Sequence, residues 1–183
     1  MSGVRLANVT DAPAIAAVEI ESWRAGYAGI LSDDVLLSLS GAQRTRFWRR
    51  ELSSSGRGLW VWEEDGGVVA GFGQCGLQAD LALPYDGEVA RLYVHPDAEG
   101  AGIGRQLLLT MLATLVSSNC QTVLVWVLRA SPARFFFQYM GAKPVLERRI
   151  PVAGTFADAI AFAWDNPCDI LEQWVGSRDH WAP

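Results

Sequence analysis

The sequence has little cysteine and little histidine. Cys75, Cys120 and Cys168 stand far apart with no C-x-x-C pair, and His95 and His180 are the two imidazoles. An odd number of scattered thiols builds no disulfide framework, and no Cys/His/Asp cluster has metal-ligand spacing, so reduced thiols and no metal are expected. Lysine and arginine never gather into a basic block and the net charge is -5, which removes a nucleic-acid backbone as an expected partner. The N-terminus lacks a cationic start ahead of an apolar core, so no signal peptide is indicated and a cytoplasmic protein is expected. Long apolar runs are scarce too. No charge appears from Gln106 to Leu128, a length that could span a bilayer. Its middle, however, is Ser117-Ser118-Asn119-Cys120-Gln121-Thr122, which would be costly at hydrocarbon depth. The stretch reads as helix, turn and buried strand, and no membrane partner is expected.

What the sequence does have is apolar content, 50% of 183 residues, enough for a sizeable core in one domain over 1–183 with a tail from 166. Val4 to Ala7 reads as a first strand. Thr10-Asp11-Ala12-Pro13 is a helix start with a capping hydroxyl or carboxylate and an early proline. Ile15, Val18, Ile20 and Trp23 give that helix an apolar side, and Gly26 and Gly29 end or loosen it. Ser32-Asp33-Asp34 opens a short helix. Gln43 to Leu52 makes a third, whose Arg44, Arg46, Arg49 and Arg50 read as a solvated face.

Ser53 to Gly58 reads as a loop. Leu59 to Glu63 and Val68 to Gly73 form a hairpin through Asp65-Gly66-Gly67. Gly71-Phe72-Gly73-Gln74-Cys75-Gly76 spells the dinucleotide fingerprint, but no long helix follows before Pro84, so a strand with a bulge or a close neighbour is expected instead. Past residue 104, Leu107, Leu108, Met111, Leu112, Leu115 and Val116 form one helical stripe. Val123 to Leu128 is a strand covered on both faces. Ser131-Pro132 starts a helix ending at Gly141, and Val145 to Val152 and Ala159 to Trp164 pair across Ala153-Gly154-Thr155. The tail, with Leu171, Trp174 and Trp181, carries no chemical pattern and is expected to cover a sheet edge or a neighbouring subunit.

The chain is organised around Glu88 to Gly104. A strand breaks at His95-Pro96 and leads into Gly100, Gly102 and Gly104, spaced by single residues just before a helix. Small residues let the backbone bend and bring its N–H groups to a ligand, at the helix end whose donors are unpaired and whose dipole is positive. That is an anion site, most naturally for phosphate. No Lys-Ser or Lys-Thr follows, so it is not a P-loop.

Glu99-Gly100-Ala101-Gly102-Ile103-Gly104 resembles the Q/R-x-x-G-x-G/A signature of the GNAT N-acetyltransferase superfamily, and the order of elements is similar across most of the chain. The resemblance implies an α/β fold with a central mixed, mostly antiparallel sheet of six to seven strands, helices on both faces, and a V-shaped splay between strands 4 and 5. It implies acetyl-CoA as co-substrate, its pyrophosphate on the backbone of Gly100, Ala101, Gly102, Ile103 and Gly104 and its pantetheine arm along Leu92, Tyr93 and Val94. Glu99 departs from the Gln or Arg of the signature, and Arg105 is the residue placed to compensate. The segment from Ser131 resembles the second cofactor helix, implying contacts from Ser131, Arg134 and Phe137. There Ser131 replaces an Asn, and Phe137 replaces the Tyr that often protonates the leaving thiolate. Tyr93, Tyr27 or a water is left to serve.

The implied reaction is transfer of an acetyl group to an amine. Glu88, at the strand's start, is a general base or a solvated strand-end residue. Trp23 and Tyr27 line the acceptor's approach. The acceptor is a small-molecule amine, with a protein N-terminus or lysine, or an acyl-CoA-binding module without turnover, as alternatives. A homodimer is implied only through relatives.

Overall fold

The computed structural model of the chain describes residues 2–54 and 57–176. Expectations for residues 55–56 and for the tail from 177, including His180 and Trp181, lie outside the described residues. The chain opens with β1 (Gly3–Leu6) and a 3-10 turn at Val9–Asp11, then α1 (Ala12–Gly26), α2 (Asp33–Leu37) and α3 (Gly41–Ser53). There follow β2 (Arg57–Glu63), β3 (Val69–Leu77), β4 (Gly87–Val94), a second 3-10 turn at Pro96–Ala98, α4 (Ile103–Ser117) and β5 (Val123–Leu128). The last elements are α5 (Ala133–Tyr139), β6 (Lys143–Val152), β7 (Thr155–Trp164) and α6 (Pro167–Gly176).

The strands form one sheet in the order β1-β2-β3-β4-β5-β7-β6, antiparallel throughout except for β4 beside β5. This is the mixed, mostly antiparallel α/β architecture implied by the sequence. Side-chain alternation explains the layers. On β2, Leu59 and Val61 join Ile15, Val18, Trp48 and Phe72 under α1 and α3, whereas Trp60 and Trp62 turn to Ile103 and Leu107 of α4. The stripe of α4 is buried as read: Leu107, Leu108, Met111, Leu112 and Leu115 face a core with Val89, Val123 and Val125. Gly66 and Gly67 turn the first hairpin at positive φ, and Ala153 and Gly154 turn the last one.

The glycines of the false dinucleotide fingerprint do what a close neighbour demands. A Cβ on Gly71 would stand 3.0 Å from Ile103 and 3.1 Å from the Tyr93 carbonyl, and one on Gly73 would stand 2.7 Å from the Met111 sulfur. Bare backbone at these two positions lets α4 lie directly on β3. The expected bulge on β3 is Ala70, because Trp62 faces Gly71 and Glu63 faces Val69, and a second bulge falls on the neighbouring strand. Gln74 faces Arg91 and the next residue, Cys75, faces Val89, so Ala90 is the extra residue, on β4.

Two readings are corrected. Asn8, not Thr10 or Asp11, caps the first turn by accepting from the Thr10 N–H, while Asp11 bonds back to the Asn8 N–H and to Arg5. Arg44 is not on a solvated face: it makes two 2.7 Å bonds to Glu19, which is 3% exposed and also accepts from the Trp48 indole. A buried carboxylate needs such partners, and α1 and α3 are joined by them. The described part of the tail, α6, packs on α4 and the end of α5, with Ile170, Leu171 and Trp174 against the core.

Candidate functional site

β4 and β5 pair only at Gly87–Val123, Glu88–Leu124 and Val89–Val125. Beyond the bulge at Ala90 they part, while β3 holds the other edge of β4 as far as Val94 and β7 holds β5 as far as Leu128. Each strand is anchored on its outer side and open on its inner side. The gap is a cleft of about 640 Å³.

At the head of this cleft the glycine turn has the geometry that the sequence requires. Gly100 and Gly102 both adopt φ +80°, a left-handed conformation that favours glycine. Among the described residues, the N–H groups of residues 100–105 have no acceptor; the first to find one is Gln106, on the Gly102 carbonyl at 3.1 Å. Successive open amides at the start of a 15-residue helix are the kind of concavity that suits an anion. Glu99 is exposed and makes no ion pair with Arg105, so its charge is left to solvent. Arg105 folds back instead, its Nη2 3.4 Å from the position a Gly102 Cβ would take.

Of the expected cofactor contacts, Leu92, Tyr93, Val94, Gly100, Gly102, Ile103, Gly104, Arg105, Ser131 and Phe137 line the cleft. Ala101 and Arg134 do not; the Arg134 guanidinium bonds the Arg129 carbonyl at 3.0 Å and lies over Phe135. Ser131 is buried and accepts from the Ala133 N–H at 3.3 Å, so it caps α5 as well as walling the cleft. Tyr27 is in the wall, whereas Trp23 stands edge-on behind it at 5.3 Å. Glu88 is outside the lining, half-buried in the last stretch of paired strand, level with Leu124.

Phe137 is a core residue, 6% exposed and packed on Phe136 and Trp164. Of the three tyrosines in the wall, Tyr27 and Tyr93 are unlike free phenols. Burial first, and the neighbouring Tyr93 next, push the Tyr27 hydroxyl above its usual range; burial does the same to Tyr93. Both stay protonated at neutral pH, as hydrogen-bond donors that give up a proton reluctantly.

Ser22, Gly26, Trp126, Phe136 and Met140 also line the cleft and were not read from the sequence. Ser22 donates to the Val94 carbonyl at 2.8 Å and so ties α1 to the open edge of β4. The available signal was a serine and a glycine one helical turn apart, on a helix otherwise read by its apolar side.

A mixed sheet that parts between its two parallel strands, with open amides at the head of the gap, defines a coenzyme-A-type acyltransferase. Residues 20–142 match the acetyltransferase (GNAT) family model. The chain belongs to that family and is an acetyl-CoA-dependent N-acetyltransferase. The uncharacterized N-acetyltransferase YuaI of Bacillus subtilis (strain 168) is 30% identical over 166 residues, covering 91% of this chain and 94% of that one. YncA from Salmonella typhimurium, solved with its cofactor acetyl-CoA, superposes with a TM-score of 0.67 at 20% identity over 100% and 98% of the two chains. The PaiA N-acetyltransferase from Thermoplasma acidophilum, solved with coenzyme A, gives 0.64 at 21% over 87% and 98%.

Proposed function

We propose that this enzyme acetylates the primary amine of a small molecule by direct attack in a ternary complex. The observation that carries the donor side is the run of open amides at residues 100–105 at the head of the cleft. They hold the diphosphate, and the inner edge of Leu92 to Val94, which β5 does not cover, receives the pantetheine arm. Acetyl-CoA supplies the thioester. The amine nitrogen forms a bond to the acyl carbon, the carbon–sulfur bond breaks, and the amine's proton leaves.

Glu88 takes that proton through a water, standing one pair before the strands part. A backbone N–H near the Ala90 bulge faces the thioester oxygen, a fixed donor typically worth roughly 10²- to 10³-fold. With phenylalanine at 137, the family's acid is missing from that position of α5. That omission costs roughly 10²- to 10⁴-fold against a relative with a positioned acid, while orientation in the cleft supplies roughly 7 to 11 kcal/mol.

A small acceptor is supported over a protein segment by the packing above β5 and β7. An extended peptide needs an open groove between the α1–α2 loop and the end of the β6–β7 hairpin. There Leu31 and Leu36 are buried with Leu128 and Ala159, flanked by Ile150, Val152 and Ala157.

The test is release of free CoA thiol from acetyl-CoA with a panel of small primary amines and of lysine-bearing peptides. Turnover with small amines and little with peptides is expected; the reverse order would defeat the small-molecule reading. Replacing Gly102 by Asp places a carboxylate against the diphosphate, and acetyl-CoA affinity by calorimetry should fall by roughly 100-fold or more. Unchanged affinity would remove the phosphate assignment.

A further inference from the structure

The C-terminal helix α6 lies beyond the part of the chain that matches the family model, yet it reaches the mouth of the cleft. It is seated by a missing side chain. Gly141, at φ +84° after α5, would with a Cβ stand 2.6 Å from the Ile170 Cδ1. One helical turn further on, Trp174 presents its indole to two cleft-lining side chains from other helices. Arg105 of α4 lies over the ring with its guanidinium carbon 5.3 Å from the centroid, and the Tyr139 ring of α5 stands 5.6 Å away at 62°. Arg105 makes no ion pair with a carboxylate among the described residues, and its guanidinium leans on Gly102, next to the open amides.

We propose that Trp174 is a positioning residue for the coenzyme: its indole face holds Arg105 over the glycine turn, where the guanidinium meets the diphosphate. The inference rests on the assignment of that turn to acetyl-CoA. A long arginine side chain loses much freedom when it is fixed, and an aromatic face within 6 Å both attracts the cation and limits its rotamers. The charge is then in place before the ligand arrives, and no carboxylate among the described residues pairs with it. Glu99, which stands where the family signature has Gln or Arg, leaves this role vacant on its own side of the turn.

The experiment is a double-mutant cycle on acetyl-CoA affinity, measured by calorimetry on the full chain. Trp174→Leu should weaken binding roughly 3- to 20-fold, and Trp174→Phe, which keeps an aromatic face, should restore most of the loss. In an Arg105→Gln background, Trp174→Leu should have almost no further effect. If it weakens binding by the same factor in both backgrounds, Trp174 is merely structural and the proposal falls. CoA and dephospho-CoA should lose affinity alike in Trp174→Leu; a loss confined to CoA would move Arg105 to the 3′-phosphate and overturn the diphosphate assignment. Should Trp174→Leu fail to fold, Trp174→Phe and Trp174→Tyr at low and high salt decide: near-native affinity with the salt dependence retained supports the role, and a loss as large as that of Arg105→Gln overturns it. Wild-type protein in the same titration separates the two ideas, because no binding there defeats the donor assignment itself, whereas binding with an unaffected Trp174→Leu defeats only this one.

Discussion

Arg5 donates to both oxygens of Asp11 at 2.8 and 2.9 Å, and the Asn8 N–H adds a third bond at 2.7 Å. The Arg5 bond above all holds the Asp11 carboxyl below its usual range, against the opposing effect of burial. A carboxylate with a depressed folded pKa adds stability above its unfolded value, and that stability is lost as pH falls through the folded one. Asp11→Asn should therefore cost about 2 kcal/mol near neutrality and narrow its deficit below about pH 4, read from urea midpoints across that range. A deficit independent of pH would deny the ion pair its part. The thiols make a second check. Burial pushes Cys75 up to about 12 and raises Cys120, whereas Cys168 is exposed on α6. A maleimide at neutral pH should label Cys168 rapidly and the other two only on unfolding. Glu88→Gln tests the proposed base: turnover should fall by roughly 10²-fold or more with acetyl-CoA affinity kept, and an unaltered pH profile would assign the base elsewhere. At this scale the sequence spoke unevenly. Phe137 was legible as a departure from the family's Tyr because residue identity is local. Arg44 was not, because its partner Glu19 lies on another helix and a polar residue in sequence carries no sign of its burial.

The elements were legible wherever one periodicity ruled. The α4 stripe, the two-sided β5 and both hairpins follow from spacing and turn residues alone, since each is fixed within a few residues of itself. β3 was read as a shorter strand, and the purpose of its glycines needed the helix above it. Gly71 has backbone on one side and α4 on the other, so Gly71→Val should destabilise the protein by about 1 to 3 kcal/mol. It should also weaken acetyl-CoA binding, because Ile103, the neighbour displaced, begins the helix whose amides are proposed to hold the diphosphate. Thermal melts and calorimetry on the same variant check both, and a stable variant with unchanged affinity would contradict the close packing. The tail was read as a patternless cover. Ile170 and Trp174 acquire their places only because Gly141 and Arg105 are brought beneath them.

At the scale of the molecule, the cleft arises because two parallel strands are each held on their outer side by an antiparallel neighbour and need not hold each other. No helix among the described residues is long and apolar enough to cross a membrane, and the charge-free stretch from Gln106 to Leu128 is accounted for by most of α4, its turn and β5. The proposal of a small acceptor belongs to the same scale, since it rests on the cluster of Leu31, Leu36, Leu128 and Ala159. Opening it by Leu36→Ala should cost about 2 to 5 kcal/mol and widen the range of amines turned over, as a thiol-release panel would record; an unchanged range would place the acceptor elsewhere. By itself the sequence determined the helices, the hairpins and the glycine turn, because backbone conformation and hydrophobic period are properties of neighbouring residues, and its resemblance to a family implied the sheet they build. Only the tertiary structure decided which side chains wall the cleft and which are spent on the core, because burial and partnership depend on residues that meet only when the chain has folded.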